Sequence, residues 1–271
     1  MIGRIEGVVV PLVTPLGEDL RVCELSVQRL IDSVRSDATA LLPALSSGEG
    51  GQLHRSQWNS MVHYTVRHAD GLPVCPGAIV DTDDELMARS RFAADAGAAG
   101  ITVVVPPLGG ADIEAVIERF RRLSLASPLP LFLYHHGSEG ETETLVQALC
   151  RLCRLPRVLG IKESSRRPEI VRALNQCALP CGVLQGWEDL LWASPGADGH
   201  AVALANLEIG ICARMRSTPS EPVQHEINQL CEDYRLFDDD WYAAIKRELH
   251  RRGVLSTALT ADASPAIQGA A

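Results

Sequence analysis

Apolar positions along this chain fall into two alternating rhythms. Short, nearly continuous apolar runs recur at GVVVPLVTP (7–15), ATALLPALS (38–46), LPVCPGAIV (72–80) and GITVVVP (100–106). Four more follow at LPLFLYHH (129–136), VLGIKES (158–164), CGVLQGW (181–187) and GHAVALAN (199–206). Runs of this length without polar alternation read as parallel strands covered on both faces. Between them, segments 24–35, 54–69, 82–96, 111–125, 142–153 and 168–176 carry apolar residues at helical spacing. Thr82 with Glu85 makes an S/T-x-x-E helix start, and Thr142 precedes a core-facing stripe of Leu145, Val146 and Leu149.

Strands alternating with helices predict an α/β chain closed into a (β/α)₈ TIM barrel, although an open doubly wound sheet gives similar local signals. Between the seventh and eighth strands, EDLLWASPGAD leaves room for only a short helix. After Asn206 the pattern is helical over 207–216, 220–235 and 239–252. The organisation read from this is a barrel over 1–216, C-terminal helices packed on it over 217–254, and a disordered, small-residue-rich tail over 255–271.

Composition narrows the function classes. The chain has 271 residues, 46% of them hydrophobic, with mean hydropathy near zero, which suits one barrel domain. A net charge of −9 without a long basic cluster excludes a nucleic-acid footprint. The Arg pairs at 121–122, 166–167 and 251–252 are expected on solvated helix faces. No apolar stretch reaches the roughly 20 residues that a bilayer span needs, and the N-terminus lacks signal-peptide features. A cytoplasmic protein without membrane contact is expected. Cys150 and Cys153 have C-x-x-C spacing but lie in a helical pattern with no matching second half-site, so they read as buried helix cysteines.

In a βα barrel the chemistry sits at the C-terminal ends of the strands. Of 25 Lys plus Arg, only Lys162 and Lys246 are lysines. A lysine inside VLGIKES is poorly explained by surface charge. Arginine stays protonated, whereas a desolvated lysine can lose its proton and attack a carbonyl. The alternative is a structural lysine paired with a carboxylate such as Glu49. Lys246, in WYAAIKRELHRRG, is expected on a solvated helix face. Tyr134 ends the strand beside that of Lys162, where a phenol can relay protons; the alternative is a core tyrosine. SSGEGG (46–51) is a small-residue loop whose amides and hydroxyls can hold a carboxylate. His135 and His136 are adjacent on a strand, so one at most faces the barrel mouth. No third metal ligand is identifiable.

Taken in order, GVVVPLVTPL, SSGEGGQL, LFLYHHG, GIKESS, QGWEDL and GADGHAVALAN resemble the dihydrodipicolinate synthase/N-acetylneuraminate lyase family of class I aldolases over residues about 5–215. The resemblance implies a (β/α)₈ barrel with further C-terminal helices and a homo-oligomer, dimer or tetramer. It also implies a Schiff base between a lysine and pyruvate or another small 2-oxo acid, with no metal or organic cofactor. On this resemblance Lys162 is the Schiff-base lysine, Tyr134 the proton relay, and Ser46 and Ser47 the hydroxyl pair of the carboxylate loop that Gly48 and Glu49 complete. Lys162, Tyr134 and Ser47 are the expected catalytic set. Ser46, Ser47, Gly48, Glu49, His136, Glu139 and Ala201 are the expected substrate-binding positions.

Several positions depart from the family pattern. The first glycine of the carboxylate loop is Leu45, Y-N-x-P becomes Tyr134-His135-His136-Gly137, and a tyrosine pair becomes Pro107-Leu108. The arginine that binds the second substrate's carboxylate in the synthases is Glu139, and the isoleucine opening G-x-I-S-V is Ala201. The C-terminal helical extension is shortened. Such a charge reversal disfavours a carboxylate and favours a neutral or cationic partner. The expectation is a Schiff-base lyase or synthase on a small carbonyl substrate that is not an authentic dihydrodipicolinate synthase. The alternative is a catalytically inactive ligand-binding or regulatory relative of the same barrel.

Overall fold

The computed structural model describes residues 3–137 and 139–263. Strands β1 (Gly7–Val10), β2 (Ala40–Leu41), β3 (Gly77–Ala78), β4 (Ile101–Val104), β5 (Leu131–His135), β6 (Val158–Glu163), β7 (Gly182–Gln185) and β8 (Gly199–His200) pair in parallel. Their order is β2-β1-β8-β7-β6-β5-β4-β3. The two ends of that order meet: Leu41 bridges Val74, the Cys75 amide donates to the Leu41 carbonyl at 2.9 Å, and the Gly77 amide donates to Pro43 at 2.8 Å. The sheet therefore closes into a barrel, and the open-sheet alternative is excluded.

Strands are shorter than the apolar runs that announce them. Pro11 follows β1 directly, Pro43 stands two residues after β2 and Pro106 two after β4. A proline offers no amide to the ladder, so pairing stops near it while burial continues.

Helices α1 (Glu24–Val34), α2 (Arg55–His68), α3 (Asp83–Asp95), α4 (Ile113–Ala126), α5 (Thr142–Cys153) and α6 (Pro168–Gln176) follow the first six strands. Only a 3₁₀ turn, Glu188–Leu190, separates β7 from β8, as the short EDLLWASPGAD segment implies. Then come α7 (Ile209–Ser217), α8 (Glu221–Asp233) and α9 (Trp241–Arg251). The Thr82 hydroxyl accepts from the Glu85 amide and starts α3 as expected.

Two apolar layers result. One fills the barrel and includes Val9, Leu42, Phe132, Leu159, Leu184 and Ala201. The larger one lies between the strands and the helices, with Val10, Leu41, Phe120, Leu133, Ile161 and Val183 among its members. Period-two alternation divides neighbours such as Phe132 and Leu133 between the layers, and a bulge where β6 pairs with Leu131 and Phe132 lets Leu159 face the barrel and Ile161 the outer layer. Cys150 and Cys153 are buried helix cysteines.

Three expectations need correction. Lys246 is fully buried instead of solvated, in an ion pair with Glu49. Residues 255–263 are docked on the protein rather than disordered: Leu255 and Ala261 are buried, and the Thr257 hydroxyl donates to Leu16 at 2.6 Å. The rest of the expected tail, 264–271, lies outside the described residues. Arg166 and Arg167 do not sit on a helix face. They precede α6, where Arg166 pairs with Asp189 at 2.5 Å and Arg167 donates to the Gly140 carbonyl at 2.8 Å.

Candidate active site

The site begins with strand register. On β5 and β6, Tyr134 stands opposite Lys162 and His135 opposite Glu163. Alternation sends the first pair into the barrel and the second into the outer layer. The outer pair is completely buried, with His135 Nδ1 3.0 Å from Glu163 Oε1, while Glu163 also accepts from the Ser165 amide at 3.0 Å. His135 is thereby committed to the scaffold.

The inner pair opens onto a cavity of about 500 Å³ at the C-terminal ends of the strands. Its floor is Ser46, Ser47, Tyr134, Lys162 and Ser164. The Lys162 Nζ lies 5.0 Å from the Tyr134 ring centroid, and Ser46 Oγ donates to the Tyr134 hydroxyl at 3.2 Å. Lys162 is 6% exposed and makes no ion pair with any described residue. Burial, opposed by the charge of Glu188, brings its pKa down to about 8. At pH 7 about a tenth of such a lysine is neutral, against about one part in 3,000 at the ordinary 10.5. Burial likewise raises Tyr134, with the Ser46 hydroxyl pulling the other way, so the phenol enters the neutral pH range as a proton donor.

Gly186 leaves room for the lysine. A Cβ there would meet Ser164 Oγ at 1.9 Å and Lys162 Cε at 2.9 Å. The adjoining wall carries His136, Trp187, Glu188 and Ala203. Glu188 is buried, and its Oε1 accepts from the amides of Ala203 at 2.7 Å and Leu204 at 3.2 Å. Burial raises its pKa against the pull of those amides and of Lys162. His136 is held below the usual histidine value by burial first and by the neighbouring His135 and Lys162, so it stays neutral in the cavity wall near pH 7.

The roof comes from the α8–α9 connection: Leu236, Phe237, Asp238, Asp239 and Trp241. Arg166 stacks 4.2 Å from the Trp187 ring and 5.9 Å from Phe237, joining wall to roof. Its charge is already engaged by Asp189.

The structure brings Lys162, Tyr134, Ser46, Ser47 and His136 together around one cavity. Four other expected substrate-binding positions do not line it. Gly48 and Glu49 shape the loop from behind, Ala201 is buried inside the barrel, and Glu139 is exposed beside Gly109. Glu49 pairs with Lys246, so the alternative of a Glu49–Lys162 pair is excluded. Leu108 is buried in the outer core. The roof was not foreseen, because nothing local in YRLFDDDW says that it folds over strand ends far away in sequence. Among the described residues no group of three or more His, Cys, Asp or Glu is arranged to hold a metal ion, and no helix is long and apolar enough to cross a membrane.

A profile of the Dihydrodipicolinate synthetase family matches residues 4–264. The chain is 28% identical over 216 residues to the 4-hydroxy-tetrahydrodipicolinate synthase of Rhizobium meliloti, covering 77% of this chain and 73% of that protein. Among solved structures, dihydrodipicolinate synthase from Bacteroides thetaiotaomicron superposes with a TM-score of 0.85 at 24% identity, over 96% of this chain and 93% of that one. A prophage protein from Escherichia coli K12, solved in complex with pyruvate, gives 0.80 at 20% identity, over 94% and 91%. Both likenesses are of fold. With the profile spanning nearly the whole barrel and its C-terminal helices, this chain belongs to the dihydrodipicolinate synthetase family, whose members are lyases and synthases working by class I aldolase chemistry.

Proposed function

We propose that this protein is a Schiff-base-forming lyase or synthase acting on pyruvate or another small 2-oxo acid, and that it is not an authentic dihydrodipicolinate synthase. The observation that carries the reading is a buried, unpaired Lys162 beside the Tyr134–Ser46 hydrogen bond in a cavity of about 500 Å³.

In this reading the 2-oxo acid rests its carboxylate against Ser46 and Ser47. Neutral Lys162 attacks the ketone carbon and gives a carbinolamine. Tyr134 delivers a proton to the departing hydroxyl, water leaves, and a protonated imine remains. The imine is an electron sink, so a proton or a carbon substituent on the adjacent carbon can depart to give an enamine, which can in turn add to an acceptor carbonyl.

The acceptor end argues against the lysine-pathway aldehyde. Among the described residues, Lys162 is the only cationic side chain lining the cavity, whereas Glu188, Asp238 and Asp239 are carboxylic acids. A second substrate with a carboxylate would face like charge, while a neutral or cationic one would not. The same reading takes α8 and α9 as a shortened C-terminal extension and the protein as a homo-oligomeric, cytoplasmic enzyme; sedimentation should give a dimer or tetramer, and a monomer would refute the assembly.

The test is a product assay with pyruvate and aspartate semialdehyde beside a panel of neutral and amine-bearing aldehydes. Turnover is expected with the panel, and the pathway product at normal family rates would defeat the proposal.

A further inference from the structure

Lys246 was expected in solvent, and its burial has a counterpart in the carboxylate loop. Both members of the Lys246–Glu49 ion pair are buried, at 0% and 1% side-chain exposure. Lys246 Nζ also donates to the Leu259 carbonyl at 2.8 Å, and Glu49 Oε2 accepts from the Ala261 amide. One carboxylate thus gathers helix α9 and the segment 255–263 behind the loop that presents Ser46 and Ser47.

That loop is strained and crowded. Ala44 and Glu49 both adopt left-handed backbone, with φ of 56° and 57°. A Cβ on Gly50 would meet the Ala44 carbonyl oxygen at 1.8 Å, so the chain doubles back with backbone against backbone. Thr14 Oγ1 holds the Gly48 carbonyl at 2.6 Å from the other side. A non-glycine residue at positive φ persists only when its surroundings over-determine it. At Glu49 those surroundings are the ammonium and the amide.

Stability is a poor reason for such a pair, because desolvating two charges cancels most of their attraction. Geometry is a better one. We infer that Lys246 and Glu49 are a positioning pair: they set the loop so that Ser46 and Ser47 can receive the substrate carboxylate, which makes the C-terminal segment part of the active site's support. The same helix contributes Trp241 to the cavity roof, so α9 is fastened to the site at two points five residues apart. The composition fits. In a chain whose other permanently charged basic residues are all arginine, both lysines are buried, one beneath the loop and one in the cavity. An arginine at 246 would bring a wider, planar head into a space that holds a compact ammonium.

The inference rests on the 2-oxo-acid reading of the site for its ligand, and the experiment separates the two. Glu49→Gln/Lys246→Met removes both charges at nearly constant volume, a change that buried ion pairs generally tolerate. Wild type and variant are compared by borohydride trapping of pyruvate on Lys162 and by hydrogen exchange of the 44–53 amides. The expected result is a urea midpoint close to wild type, with half-saturation by pyruvate raised about tenfold or more. The trapping rate at saturation should stay within about threefold, and the loop amides should exchange about tenfold faster. A folded variant with unchanged half-saturation, or with unchanged loop exchange, overturns the positioning role. If the double variant does not fold, Ala261→Pro replaces the amide donor to Glu49 with a ring carbon against its carboxylate and should shift the same two readouts in the same direction; no shift overturns the role. Wild-type protein that traps no 2-oxo acid defeats the functional reading alone, and the exchange arm then decides this one.

Discussion

Lys162 and Lys246 are both buried, and they differ in what surrounds the ammonium. Lys246 has a carboxylate and a carbonyl within hydrogen-bond reach, so its charge is matched although burial lowers its pKa. Lys162 makes no ion pair with any described residue and has a ring face at 5.0 Å and the opposing charge of Glu188. The first environment keeps a cation in place, and the second makes the cation costly. A costly cation is a nucleophile in waiting.

The largest effect should come from Lys162 itself. Lys162→Met is expected to lower any Schiff-base turnover on the order of 10⁴-fold or more, because no other described amine reaches the cavity. Stopped assays at high enzyme concentration would check this, and residual turnover within about tenfold of wild type would contradict it.

The two lysines should then differ in the sign of their stability effects. Lys246→Met strands the buried Glu49 charge and is expected to cost about 3–5 kcal/mol in urea unfolding. Lys162→Met removes an unmatched buried charge and is expected to raise stability, by at most about 3 kcal/mol. The linkage has a definite pH window. The unfolded lysine holds its proton up to about 10.5 and the folded one only up to about 8, so wild-type stability should rise with pH across that interval. The rise should shrink in the Lys162→Met variant. Equal losses from both substitutions would dissolve the contrast.

A smaller effect is expected at the relay. Tyr134→Phe keeps the ring beside Lys162 and removes the hydroxyl, which should slow trapping by about 10²–10⁴-fold with little change in unfolding midpoint. Smaller still is the pH response of wild type. The trapping rate should climb as Lys162 loses its proton, with a midpoint near 8, and a midpoint near 10.5 would remove the desolvation argument.

Much of this was legible along the chain, for physical reasons. Strands buried on both faces have to be apolar throughout, so all eight announced themselves, and proline explains why they pair over shorter spans. Tyr134 and Lys162 lie at matching places near the ends of neighbouring strands, and register alone puts them together. The roof over the cavity and the Glu49–Lys246 pair were not legible. Each joins segments distant in sequence, and a lysine beside AAI on a helix reads as solvated until its carboxylate is found. The one available sign was compositional, since a chain that uses arginine nearly everywhere kept two lysines. Glu139 shows the converse: a position that the family pattern offers to the substrate lies exposed beside Gly109 and does not line the cavity.

The most direct test of the account is borohydride reduction in the presence of a series of 2-oxo acids, followed by peptide mass mapping. One reduced adduct per chain is expected, on the peptide containing Lys162, with Lys246 unmodified. An adduct on Lys246, or no adduct on folded protein with pyruvate or its larger analogues, would contradict it.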